Sequence, residues 1–176
     1  VRLRVRRRRE VFRGRYIRVA LKDVVLPNGR RTTLNVVEHP GAVAIVPVFE
    51  NGDVALIRQF RPSVDEELFE IPAGTLEPGE PPLATAKREI VEETGYRARS
   101  WRKISEFYTA PGFCTELMHV YVARDLAPAS AEGDADEIIE PMRVPLRKAL
   151  DYVRRGRIRD AKSIVGLLVY SNGNGR

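Results

Sequence analysis

The sequence predicts an α/β fold with a small β arm at its N-terminus. Three observations predict it: alternation and a tight turn within the first 40 residues, apolar runs of strand length from Val43 onward, and one helix-spaced charged segment ending at a glycine. With 176 residues, 43% hydrophobic and 31% charged, the chain has enough material for one core plus an appendage, and its balance is not that of a disordered protein.

The elements follow in order. Val1-Arg2-Leu3-Arg4-Val5-Arg6 alternates like a half-exposed strand. Pro27-Asn28-Gly29 supplies the positive φ angles of a hairpin turn between short strands. His39-Pro40-Gly41 breaks the pattern, so residues 1–40 read as an arm and 41–176 as the main domain. Val43–Phe49 and Val54–Phe60 read as buried strands around the turn Glu50-Asn51-Gly52-Asp53, and Leu68–Ile71 as a shorter one. Pro72 to Pro82 is a loop rich in Gly and Pro, followed by a helix over Leu83–Thr94 with Gly95 placed to stop it. Ser100–Tyr108 and Leu117–Ala123 read as strands, Ala131 to Glu140 as an acidic loop, and Leu146–Arg155 and Ala161–Tyr170 as closing helices, with a frayed Gly/Asn tail at 172–175.

The net charge of +6 is unevenly spread. Residues 1–18 hold nine arginines against Glu10 alone, which is +8 in the arm and leaves −2 for the remaining 158 residues. Such an arm suits a polyanion such as nucleic acid, but no aromatic residue interleaves Arg6 to Arg9 as a stacking platform requires. A solvated strand is therefore the favoured reading, with nucleic acid a disfavoured partner. No apolar run approaches the ~20 residues of a membrane span. A single cysteine, Cys114, forms no internal disulfide and points to a reducing cytoplasm. It reads as an inert buried thiol. Neither His39 nor His119 has partners at zinc-ligand spacing.

The chemistry is concentrated in Gly74-Thr75-Leu76-Glu77-Pro78-Gly79-Glu80 and, seven residues on, Arg88-Glu89-Ile90-Val91-Glu92-Glu93-Thr94-Gly95-Tyr96. Glu89 and Glu93 lie four apart and share a helix face, where like charges repel. A hard divalent cation removes that penalty, because Mg²⁺ prefers carboxylate oxygen and keeps waters that a phosphate can displace. Arg88 and Glu92 are also four apart and can pair. Gly74 and Gly79 let backbone groups approach a metal or phosphate closely. Each feature alone has a bland reading, a solvated helix face or an ordinary loop.

Together they match Gly-x5-Glu-x7-Arg-Glu-aliphatic-x-Glu-Glu-x-Gly-hydrophobic, so the sequence resembles the Nudix hydrolases. Tyr96 is the one departure, standing where an aliphatic residue is more usual. Leu56-Ile57-Arg58-Gln59-Phe60-Arg61-Pro62, Glu70-Ile71-Pro72-Ala73-Gly74 and Ala110-Pro111-Gly112-Phe113-Cys114-Thr115-Glu116 are similar to the ADP-ribose pyrophosphatase branch, whose marker proline falls at Pro111, fifteen residues after Tyr96. Gly14-Arg15-Tyr16 and the Gly-x-Ile-x-Asp-Ala segment at 156–161 extend the similarity over nearly the whole chain.

The resemblance implies a mixed central sheet sandwiched between helices and Mg²⁺-dependent hydrolysis of ADP-ribose to AMP and ribose 5-phosphate, with Mn²⁺ as an alternative ion. It implies metal binding by Glu89, Glu93 and the carbonyl of Ala73, with Glu92 either joining them or staying with Arg88, and Glu80 supporting the outer metal or the loop. The general base comes from the acidic loop, Glu137 first and Glu140 second. Arg61 reaches the phosphates; Glu77, Gly112 and Glu116 lie where the branch holds the terminal ribose. Arg15 and Tyr16 lie where it holds adenine, supplied by the exchanged arm of a homodimer partner. The rival readings are the same chemistry on another nucleoside diphosphate sugar or a dinucleotide such as FAD, and a nucleic-acid-binding protein built on the basic arm.

Overall fold

The computed structural model describes residues 3–130 and 138–173. The arm is an antiparallel sheet of β1 (Arg4–Arg13), β2 (Arg18–Val25) and β3 (Arg31–Glu38), ordered β1-β2-β3. Its two turns are Gly14–Ile17, closed by Gly14 N–H to Ile17 O at 2.8 Å, and the Asn-Gly turn, where Gly29 has φ 80°. Arg8 forms an ion pair with Glu38, Lys22 reaches the same carboxylate at 3.1 Å, and Arg13 pairs with Glu10 at 2.8 Å. Part of the arm's basicity is thus matched internally.

The body is built from β4 (Ala42–Pro47), β5 (Asp53–Arg61), β6 (Glu66–Glu70), β7 (Ala73–Thr75), α1 (Pro82–Thr94), β8 (Tyr96–Tyr108), β9 (Leu117–Pro128), β10 (Ile139–Pro145), α2 (Leu146–Arg154) and α3 (Ala161–Gly173). The central sheet runs β7-β4-β9-β8, with β4 and β9 parallel and the other pairs antiparallel; a second sheet runs β10-β5-β6. All six residues of β4 are buried, the unbroken apolar run of a strand covered on both faces. Val43 and Ile45 pack with Ala86 and Ile90 of α1, while Ala44 and Val46 join Leu167 and Tyr170 of α3 in the other cluster. The expected sandwich of a mixed sheet between helices is present. α3 comes especially close: a Cβ added to Gly166 would stand 2.7 Å from Ile71 Cδ1, and the Ile71 N–H donates to the buried Ser163 Oγ at 2.7 Å.

Four elements differ from expectation. β7 lies within the segment read as loop, because its three residues are recruited by β4 rather than by any pattern of their own. β8 starts at Tyr96, four residues early, in antiparallel register with β9. β10 went unread because Pro141 and Pro145 disguise it; prolines are tolerated on an edge strand, and β10 is the edge beside β5. α3 continues into the Gly/Asn tail as far as Gly173. α1 ends where expected, with Gly95 left-handed at φ 72° and its N–H on Val91 O.

Candidate active site

A pocket of about 810 Å³ lies between α1, β7, the start of α3 and the tip of the arm's first hairpin. One wall is acidic. Glu89, Glu92 and Glu93 project from α1 beside Ala73 and Gly74, with Glu77 from the loop. Gly74 leaves room for Glu89: a Cβ would fall 2.0 Å from Glu89 Oε1, so the carboxylate occupies the space a side chain would take. Glu93 is buried, at 6% exposure, and accepts the Ala73 N–H at 2.8 Å. Arg88 binds Glu89 and Glu92, each at 2.8 Å, and lies 3.6 Å from Glu80. Burial works against the Arg88 charge, but Glu89, Glu92 and Glu80 outweigh it and raise its pKa. Arg88 therefore stays a cation and offsets the repulsion within the glutamate group.

The same pocket is also lined by Arg61 and Lys162. The Arg61 guanidinium is held in a two-bond fork by Glu70, at 2.8 and 2.7 Å. Burial alone would push the Glu70 pKa up; Arg61 and Lys162 more than reverse this and hold it below the ordinary carboxylate value. Lys162 stands at the start of α3, where Asp160 Oδ2 accepts both its Nζ and the Ser163 N–H at 3.0 Å. Neither Lys162 nor Glu70 was singled out from sequence. Glu70 was visible only as part of a matched segment, and the pairing of the two spans 92 positions.

Arg15 and Tyr16 line the pocket too, with Arg15 over the Tyr16 ring at 4.8 Å. They stand on the turn between β1 and β2. Glu116 also lines the pocket; its Oε2 accepts the Thr109 hydroxyl at 2.6 Å, and Thr109 is a second wall residue not anticipated. Gly112 lies on the exposed turn after Ala110, outside the pocket wall. Glu140 is not brought to the site either. Ile139 and Pro141 line the pocket, so strand alternation turns Glu140 to the other face, where it forms an ion pair with Arg58. Glu137 lies outside the described residues.

The donor set fits a hard divalent ion: carboxylate oxygens one helical turn apart, above a glycine that leaves room for them. Among the described residues no three such side chains yet converge as a finished cage; Glu93 is tied to a backbone N–H, and Glu89 and Glu92 to Arg88. Among the described residues, too, no helix is long and apolar enough to cross a membrane.

Comparison with known proteins agrees with this geometry. A family model described as NUDIX domain matches residues 38–164. The chain is 44% identical to an ADP-ribose pyrophosphatase of Bacillus subtilis (strain 168), over 88% of this chain and 84% of that one. It is 38% identical to a methanol dehydrogenase activator of Bacillus methanolicus, over 90% and 86%. A crystal structure described as an ADP compounds hydrolase superposes with a TM-score of 0.87 at 27% identity, covering 100% of this chain and 97% of that one.

Proposed function

The chain belongs to the Nudix family, and from that premise we propose that it hydrolyses the diphosphate of ADP-ribose, releasing AMP and ribose 5-phosphate. The observation that carries the reading is the company in one pocket: the α1 glutamates line it together with Arg61 and Lys162, and Arg15 and Tyr16 line it too. A diphosphate between two sugars needs cations over its oxygens and a positioned water, and an aromatic ring with a guanidinium suits a nucleobase.

The family's use of a divalent metal fits the donors here, and we assign Mg²⁺ to Glu89, Glu93 and the Ala73 carbonyl. When bound, such an ion neutralises phosphate charge and makes a coordinated water more acidic. Glu92, paired with Arg88, fixes the orientation of that helix face. Arg61 takes non-bridging phosphate oxygens, for which a guanidinium fork is well shaped. Glu77 and Glu116 hold ribose hydroxyls. Glu137 receives the proton of the attacking water; as oxygen adds to one phosphorus, the bridging P–O bond breaks and its electrons leave with the other phosphate.

Two further assignments belong to this reading. A homodimer is supported by the exposed apolar residues of the arm, Val5, Val11, Phe12 and Ile17. A cytoplasmic setting is supported by the lone thiol of Cys114. The deciding experiment supplies a panel of nucleoside diphosphate sugars and dinucleotides with Mg²⁺ and resolves the products by chromatography. ADP-ribose should give AMP and ribose 5-phosphate with the highest kcat/KM; no release of AMP would overturn the assignment.

A further inference from the structure

Glu70 sits at the end of β6 at 1% exposure, next to a residue of the main apolar cluster, Ile71. An ionised carboxylate is costly there unless paired, and an apolar residue of similar volume often serves stability equally well. Its partners are the informative feature. Both of its oxygens accept from Arg61, and Oε2 accepts from Lys162 as well. Arg61 and Lys162 both line the pocket, whereas Glu70 lies behind them. Asp160 holds Lys162 from the other side while capping the first turn of α3. One acid at the end of β6 therefore sets the direction of two cations that come from different elements. With Asp160 included, the cluster's formal charge is zero, so this wall acts through the aim of its N–H groups rather than through excess charge.

The geometry points to Glu70 as a positioning residue for the hydrolysis: its single carboxylate holds Arg61 and Lys162 as one rigid donor group for the substrate's anionic oxygens. The inference rests on the reading of the pocket as a nucleoside diphosphate site. Glu70 does not touch the reacting atoms; it acts through the two side chains it orients. Since the wall contacts oxygens charged before and after attack, it contributes binding shared by ground and transition states, and its loss falls mainly on KM.

The test compares wild type with Glu70→Gln, Lys162→Met, Arg61→Gln and the Arg61→Gln/Glu70→Gln double variant. Steady-state hydrolysis of ADP-ribose with Mg²⁺ is read together with calorimetric binding of ADP-ribose in EDTA and with melting curves. Glu70→Gln should raise KM by at least about tenfold and leave kcat within about threefold. Lys162→Met should move KM in the same direction by a smaller factor. The double variant should differ from Arg61→Gln in kcat/KM by no more than the factor that Lys162→Met shows, well short of the full Glu70→Gln loss, since the part of that loss acting through Arg61 is already gone. Binding in EDTA should weaken in step with KM. An unchanged KM in Glu70→Gln, a loss confined to kcat, or additive effects in the double variant overturns the inference. If Glu70→Gln does not fold, Lys162→Met decides it, and wild-type affinity in that variant is the overturning result. Absence of wild-type turnover removes the assigned reaction alone, provided ADP-ribose still binds in EDTA and does so more weakly in the variants. Absence of binding removes both.

Discussion

Glu93 reaches back 20 positions to accept the Ala73 N–H at 2.8 Å, which ties the buried face of α1 to β7. The hydrogen bond couples the element that supplies carboxylates to the strand that supplies the candidate carbonyl. The two are therefore held in one spatial relation before any ligand arrives.

Glu93→Gln separates tether from charge. The amide oxygen can still accept the Ala73 N–H, so the melting temperature should hold, while the anionic donor is lost. Changes to groups that merely support a metal ligand cost about 10–100-fold; loss of a ligand itself should cost more than about 100-fold in kcat/KM. A near-normal rate in a folded protein would strike Glu93 from the metal set.

Gly74→Ala tests the same wall through space. The added methyl would stand 2.0 Å from Glu89 Oε1 and 2.1 Å from its carboxyl carbon. A flexible side chain can move away, so stability should change little. Activity should fall by about 100-fold, the cost of a misplacement on the order of 1 Å. Parallel melting curves and Mg²⁺-dependent rates make the check, and retained activity would show that Glu89 has no fixed post.

The acidic loop offers a contrast between two carboxylates. Glu140 is engaged with Arg58 on the face away from the pocket, so Glu140→Gln should leave turnover nearly unchanged. Glu137→Gln should slow kcat far more than it weakens metal binding, as removing a general base costs about 10²–10⁴-fold. Single-turnover rates beside metal titrations distinguish the two. An inert Glu137→Gln would move the base elsewhere.

The arm carries its own pH signature. The Arg8 guanidinium, with Lys22 beside it, holds the Glu38 carboxyl down at about 2 against an ordinary value of 4.5. A carboxyl depressed on folding stabilises the folded state above its unfolded value, and that contribution disappears as pH falls through the folded one. The difference in denaturation midpoint between wild type and Glu38→Gln should therefore be full at pH 6, shrink below about 4.5 and vanish near 2. A difference independent of pH would mean that the ion pair contributes nothing through charge.

What was legible in the sequence follows from distance along the chain. Glu89, Glu92 and Glu93 could be placed on one helix because a helix is a local object, and the glycine stop at Gly95 is written beside it. Gly74 could be read as room for a neighbour, although not as room for Glu89 in particular. Lys162 escaped notice because its meaning depends on Glu70, 92 positions away. Glu140 was drawn in by its place in an acidic run, but alternation along β10 decides which way it faces, and the prolines of that strand hid the alternation. Arg15 and Tyr16 stand on the turn between β1 and β2 and line the pocket, a placement that depends on how the arm folds back and not on any local pattern.

The parallel pairing of β4 with β9 has one more consequence. A chain that leaves the end of β4 at Pro47 can return alongside only by way of a long excursion, and the excursion ends at Leu117. Arg61, Ala73, Glu77, Glu89, Glu92, Glu93, Gly112 and Glu116 all lie within it. Closing so large a loop is entropically slow, so Met118, which β9 places beside Ala42 in the pocket lining, reaches its post only once those two strands have paired. A chain in which that pairing has opened consequently lacks the Glu116–Met118 part of the pocket lining.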